Sequence, residues 1–135
     1  MSSPGPERLE ELVEAARAVR ERAYAPYSLF AVGAAVLAGG RIFTGVNVEN
    51  ASYPLSVCAE RNAVAAAVAA GERRIEAVAV VAGEREPAPP CGGCRQVLAE
   101  FGPDAVVVSE SVGGERRTWR LRDLLPHAFG PGNLG

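Results

Sequence analysis

Two periodicities alternate along this chain. Over residues 6–22, apolar side chains fall at Leu9, Leu12, Val13, Ala16 and Val19, the i, i+3, i+4 spacing of an amphipathic helix, and Pro6 suits its first turn. The stretch FAVGAAVLAGGRIFTGVNVEN then reads as two strands, roughly 31–38 and 41–48, joined by a Gly-Gly turn. Residues 58–70 are rich in Ala and Val and run up to Gly71, which predicts a second helix with a glycine just past its end. IEAVAVVA (75–82) and AVVVS (105–109) are unbroken apolar runs, the mark of buried strands. Between them, residues 92–101 predict a short helix closed by Gly102 and Pro103. RRTWR (116–120) predicts a hairpin partner, and RDLLPHAF a last helical turn.

The resulting order, α-β-β-α-β-α-β-β-α, predicts an α/β protein whose sheet is covered on both faces. No repeat or linker interrupts it, so one domain over residues 1–135 is expected. The longest predicted loops, 49–57 and 83–91, each lead straight into a cysteine.

Composition narrows the function classes. Hydrophobic residues make up 48% and charged residues 22%, as in ordinary globular proteins. The formal net charge of −2 gives no general attraction to nucleic acid or an anionic membrane. All 14 basic residues are arginine, which points to a compositional or thermal bias and to no particular function. The N-terminal run is polar and then amphipathic, so no secretory leader is expected in it, and no 18-residue apolar run suggests a membrane span. Three cysteines leave one thiol over from any disulfide; a cytoplasmic protein whose cysteines bind metal or do chemistry fits better.

Those cysteines sit at predicted helix mouths. Cys58 opens the second helix, and Cys91 and Cys94 straddle the start of the third. Helix N-termini carry unpaired N–H groups and a partial positive charge, which favours thiolates. Zinc takes four ligands, and here cysteine supplies three. Either His127, the one histidine, folds back to complete a closed site, or the fourth position is open to water, as in catalytic zinc sites. Glu60 is two residues past Cys58 and can converge with it only if the site lies off the end of the helix. On a strand, Asn47 and Glu49 share a face and form an amide–carboxylate pair suited to sugar hydroxyls.

The runs CAER (58–61) and PCGGCRQ (90–96), with YAPYSLFAVGAA (24–35), FTGVNVENASYPLSVCAERNAV (43–64) and LLPHAF (124–129), resemble the zinc-dependent cytidine deaminases. The resemblance runs from residue 24 through almost all the remaining chain. Cysteine as the first ligand, where many deaminases have histidine, resembles the small homotetrameric nucleoside branch. It implies a three-layer α-β-α fold on a five-stranded mixed sheet. It also implies one Zn²⁺ per subunit on Cys58, Cys91 and Cys94, and Glu60 as proton shuttle between water, N3 of cytosine and the departing ammonia. The implied reaction takes cytidine and 2′-deoxycytidine to uridine and 2′-deoxyuridine, in pyrimidine salvage.

The same resemblance implies that Phe30 packs on the pyrimidine and that Asn47 and Glu49 hold the 3′-OH side of the sugar. Tyr53 and Phe129 would reach the sites of neighbouring subunits. Three thiolates leave zinc at a net −1, so the helix dipoles and an arginine are expected to offset the excess; Arg61 is the first candidate and Arg95 the second. A relative acting on another aminopyrimidine, such as a blasticidin S deaminase, shares the cysteine frame, but the Asn47/Glu49 pair speaks for an ordinary ribose. A non-enzymatic zinc-stabilised module leaves Glu60 without a purpose.

Overall fold

The computed structural model describes residues 3–135. Helix α1 (Pro6–Val19) runs on into a short 3-10 turn at Arg20–Arg22, which accounts for the predicted helix end at 22. Strands β1 (Gly33–Ala38) and β2 (Arg41–Val46) form a hairpin through Gly39 and Gly40 at φ 58° and 76°, a left-handed pair that glycine adopts without strain. Helix α2 (Ala59–Ala69) follows, then β3 (Ala77–Val81), α3 (Gly92–Phe101), β4 (Val106–Glu110), β5 (Arg116–Arg120) and the single turn α4 (Leu121–Leu124). The expected element order holds, and most boundaries move by one or two residues.

The five strands make one mixed sheet in the order β2-β1-β3-β4-β5. β1 runs antiparallel to both β2 and β3, β3 and β4 are parallel, and β5 returns antiparallel to β4. The parallel pair is joined through α3, the crossover that parallel neighbours require. Alternation along the central strands divides the core between two faces. Val36, Val78, Val80 and Val107 pack with Ala59, Ala63 and Leu98 of α2 and α3. Leu37, Ala79, Val81 and Val108 pack with Leu12, Val13 and Ala16 of α1. The result is the expected three-layer α-β-α sandwich. Burying each large aliphatic residue contributes about 1.5–3 kcal/mol, and Leu12 and Leu98 are fully enclosed.

One packing detail sets the position of α2. A Cβ on Gly45 would stand 2.5 Å from the carbonyl oxygen of Ala59 and would also collide with the amide of Ala63. β2 therefore lies directly against the first turns of α2, and Asn62 donates to the carbonyl of Val46 at 2.8 Å to pin the same contact. Beyond Val46 the backbone stays extended without joining the sheet: Val48 bridges to Tyr24 on one side and Val57 on the other. The expected strand 41–48 thus ends two residues early, because its last residues pair with loops.

Candidate active site

Cys58 is the N-cap residue of α2 and Cys91 that of α3, and neither helix has a side-chain hydrogen bond capping it. The free first-turn N–H groups of two helices therefore face a region where anionic sulfur is welcome. Cys94 lies in the first turn of α3 and is fully buried. The three Sγ atoms all fall within 4.8 Å of one another, Cys58 to Cys91 at 3.9 Å and Cys91 to Cys94 at 3.3 Å, and all three thiols are free. Tetrahedral zinc with bonds near 2.3 Å wants sulfurs about 3.8 Å apart, so the triangle fits the ion. Among the described residues this is the one cluster of His, Cys, Asp and Glu with such spacing. His127 stands outside it, so the arrangement with a fourth ligand from the tail is not the one the chain folds into.

The thiols do not titrate alike in the bare protein. Hydrogen bonding with Cys94 pulls the Cys58 thiol down to about 6 despite partial burial, with further help from Cys91 and the positive charge of Arg61. Cys94 moves strongly upward, through its hydrogen bond to Cys58, its burial and the charge of Glu60. Glu60, only 5% exposed, is pushed up to about 6, first by burial and then by the charge of Cys58, against hydrogen bonds from its own backbone N–H and from Cys94. A carboxyl poised there can both take and give a proton near neutrality.

A cleft of about 290 Å³ opens at the carboxyl end of β3, and Phe30, Asn47, Glu49, Cys58, Glu60 and Cys91 all line it. Residues distant in sequence thus meet at one cavity, with apolar Val80, Ala82, Ala88 and Pro89 filling its remaining wall. A larger cleft of about 570 Å³ at the opposite ends of β3 and β4 is lined by Arg73, Arg74, Asp104, Arg120 and Arg122. It contains no metal-ligand cluster, and Arg122 is already paired with Asp104.

Asn47 and Glu49 owe their placement to the loop before β1. The Asn47 side-chain Oδ1 accepts from Val32 N–H at 2.9 Å and its Nδ2 donates to Phe30 O at 2.8 Å. One Glu49 oxygen accepts from the backbone N–H groups of Tyr27 and Ser28 at 3.0 and 3.1 Å, and the other accepts from the Ser28 hydroxyl. The Ser28 hydroxyl, helped by the two backbone bonds and against the cost of desolvation, holds the Glu49 carboxyl below its usual range. Ser28, which also lines the cleft, escaped the sequence reading because its role exists only once Glu49 arrives from 21 residues away. Gly45 escaped for the same kind of reason.

Four expected residues do not line the cleft within one chain. Tyr53 is 70% exposed and packs edge-on against Tyr27, with ring centroids 6.1 Å apart, in a neighbouring cleft that shares Ser28 and Glu49. Phe129 is 59% exposed. Arg61 is exposed and makes no hydrogen bond to sulfur among the described residues, although its charge acts on Cys58. Arg95 binds two backbone carbonyls, Pro90 O at 2.7 Å and Leu124 O at 2.9 Å, and so is not a partner of sulfur.

A sulfur triangle at two helix mouths with a buried carboxyl on the same cleft has the parts of a hydrolytic zinc enzyme. Residues 6–110 match the family described as the cytidine and deoxycytidylate deaminase zinc-binding region, and the chain belongs to that family. It is 48% identical over 120 residues to the cytidine deaminase of Halalkalibacterium halodurans, covering 87% of this chain and 91% of that one. The solved cytidine deaminase of Burkholderia pseudomallei superposes with a TM-score of 0.85 at 52% identity, over 89% of this chain and 98% of that one. That of Mycobacterium tuberculosis gives 0.78 at 46% identity, over 90% and 97%.

Proposed function

We propose that the chain is a single deaminase domain that hydrolyses cytidine and 2′-deoxycytidine to uridine and 2′-deoxyuridine with release of ammonia, serving pyrimidine salvage in the cytoplasm. No helix among the described residues is long and apolar enough to cross a membrane. The observation that carries the reading is Glu60: a carboxyl that is 5% exposed, opening onto the cleft lined by Cys58 and Cys91, whose sulfurs cluster with that of Cys94. A merely structural zinc site has no use for a buried acid beside it, which argues against the zinc-stabilised module.

Cys58, Cys91 and Cys94 would hold the zinc, whose Lewis acidity, when bound, supplies an acidified water at neutral pH. Glu60 accepts one proton from the attacking water and passes it to N3 of the base. It then takes the remaining hydroxyl proton as the carbonyl forms at C4 and hands it to the amine, so that the C4–N bond breaks and ammonia leaves. Phe30 packs against the pyrimidine, and the apolar wall from Val80 to Pro89 keeps bulk water away from the carboxyl. The dipoles of α2 and α3, with the charge of Arg61, offset the surplus negative charge of three thiolates.

Hydrogen-bond capacity supports the sugar assignment. Glu49 has about four acceptor positions; two backbone N–H groups and the Ser28 hydroxyl take three. Asn47 has one amide hydrogen left after donating to Phe30. One free acceptor beside one free donor matches a single hydroxyl, which both gives and takes a hydrogen bond. A site reading one sugar hydroxyl, the 3′-OH, tolerates ribose and deoxyribose alike, and it speaks against an aminopyrimidine lacking an ordinary sugar.

The cleft of one chain would leave a bound nucleoside partly in water, and the large rings of Tyr53 and Phe129 stand exposed. A homotetramer in which these rings cover the sites of neighbouring subunits accounts for both facts. Purified protein incubated with cytidine tests the activity: loss of the cytosine absorbance with one ammonia released per uridine formed supports it, and an unchanged spectrum with zinc-loaded protein refutes it.

A further inference from the structure

The half-buried Arg95 has no part in that chemistry, yet it is held by two strong contacts. It follows Cys94 directly on α3. Its Nε donates to the carbonyl of Pro90, the residue before Cys91, and its Nη1 donates to the carbonyl of Leu124, the last residue of α4. The next side chain, Gln96, donates to the carbonyl of Phe129 at 2.9 Å. Two consecutive residues of the cysteine-bearing helix thus grip both ends of the segment 124–129.

Little else fixes that segment. After Leu125 N–H bonds back to Leu121, the next backbone hydrogen bond within the tail is Asn133 to Gly130. Pro126 has no N–H to offer, and His127 sits at φ 54°, a conformation that a non-glycine residue keeps only under restraint. The path that brings Phe129 to its position is therefore set by Arg95 and Gln96.

We propose that Arg95 is a positioning residue that couples the Cys91–Cys94 loop to the C-terminal segment, so that loading of the metal site and seating of Phe129 reinforce each other. This rests on the zinc and Phe129 assignments above. A guanidinium suits the task because its rigid fork serves two carbonyls at once, one on each side of the junction. Ordering the loop around a cation fixes Pro90 O, which fixes the fork, which fixes Leu124. By linkage, a seated tail strengthens metal binding to the same degree that metal strengthens seating.

The test is hydrogen exchange by mass spectrometry on residues 125–130, with and without zinc removed by a chelator, together with zinc affinity by chelator competition. In the unaltered protein, chelation should speed exchange of this segment several-fold. In Arg95→Met the zinc-loaded and chelated proteins should exchange alike, with zinc affinity lower by about tenfold, the scale for groups that orient metal ligands. Gln96→Ala, which frees only Phe129 O and leaves the Arg95 fork in place, should raise KM for cytidine with kcat near normal and lower zinc affinity less than Arg95→Met does. Arg95→Lys, able to keep one carbonyl, should fold normally and show a partial loss of coupling, which covers the case of a poorly folding Arg95→Met. A zinc-bound protein whose tail exchange ignores both chelation and Arg95 overturns the coupling and leaves the deaminase reading intact; an unaltered protein that binds no zinc overturns both.

Discussion

Gly45 of β2 lies flat against the first turn of α2, with no space for a side chain between it and the carbonyl of Ala59. Ala59 stands between Cys58 and Glu60, so this contact sets the height of a candidate metal ligand and of the candidate proton carrier together. Gly45→Ala should push that turn away from the sheet. The expected cost is about 1–3 kcal/mol from overpacking, read as a lower denaturation midpoint, with a fall in kcat that exceeds the fall in folded fraction. Wild-type kcat in Gly45→Ala would show that the contact does not position the site.

Glu60→Gln preserves shape and removes the proton. Deamination should drop by about 10²–10⁴-fold while zinc content by elemental analysis and the thermal midpoint stay close to those of the unaltered protein. Because a buried carboxyl raised to about 6 is replaced by a neutral amide, the fold should not suffer. Near-normal turnover would remove Glu60 from the mechanism.

Cys94→Ala deletes the most deeply buried sulfur of the triangle. One zinc per chain is expected in the unaltered protein and close to none in the variant. Stability should fall as well, since metal binding ties the loop before α3 to α2. Full zinc content in Cys94→Ala, measured after dialysis against buffer without added metal, would break the ligand assignment.

Phe129→Ala should raise the KM for cytidine and leave zinc content unchanged, because the ring is exposed in its own chain and the three sulfur ligands are untouched. Sedimentation at assay concentration should show a tetramer for the unaltered protein. A fully active monomer would show that no neighbouring chain completes the site.

Acid should unfold the protein partly through Glu110. Burial alone would raise its carboxyl, but hydrogen bonds from Arg17 and Arg116 win and hold it below the usual range. Arg116 reaches it at 2.8 Å and also holds Glu10, whose carboxyl is lowered by the same partner. A depressed folded-state pKa means the stabilisation is present above the unfolded value of about 4.3 and is lost as pH falls through the folded value. The urea midpoint should therefore decline from pH 6 toward pH 3. In Glu110→Gln the decline should be shallower, starting from an unfolding free energy already lower by about 1–3 kcal/mol; equal slopes would assign the acid sensitivity elsewhere.

Much of this architecture was readable in one dimension because its causes are local. The 3.6-residue spacing from Leu9 to Val19 and the unbroken apolar runs at 75–82 and 105–109 mark elements by how side chains must be buried. Cysteines at the starts of two helices, with Glu60 beside one of them, announce a metal chemistry before any fold is known. Other features depend on contacts between segments far apart in the chain. That Asn47 and Glu49 face the cleft follows from bonds to residues 27–32, not from the strand alternation expected there, since β2 stops at Val46. Arg95 offered itself in sequence as a partner for sulfur, and packing gave it two carbonyls, one of them 29 residues away. Gly45 looked like any strand glycine until α2 lay down upon it. Periodicity reports which face of an element is apolar, but it carries no information about which neighbour that face meets. Hydrogen-bond partners across the fold are chosen by that meeting.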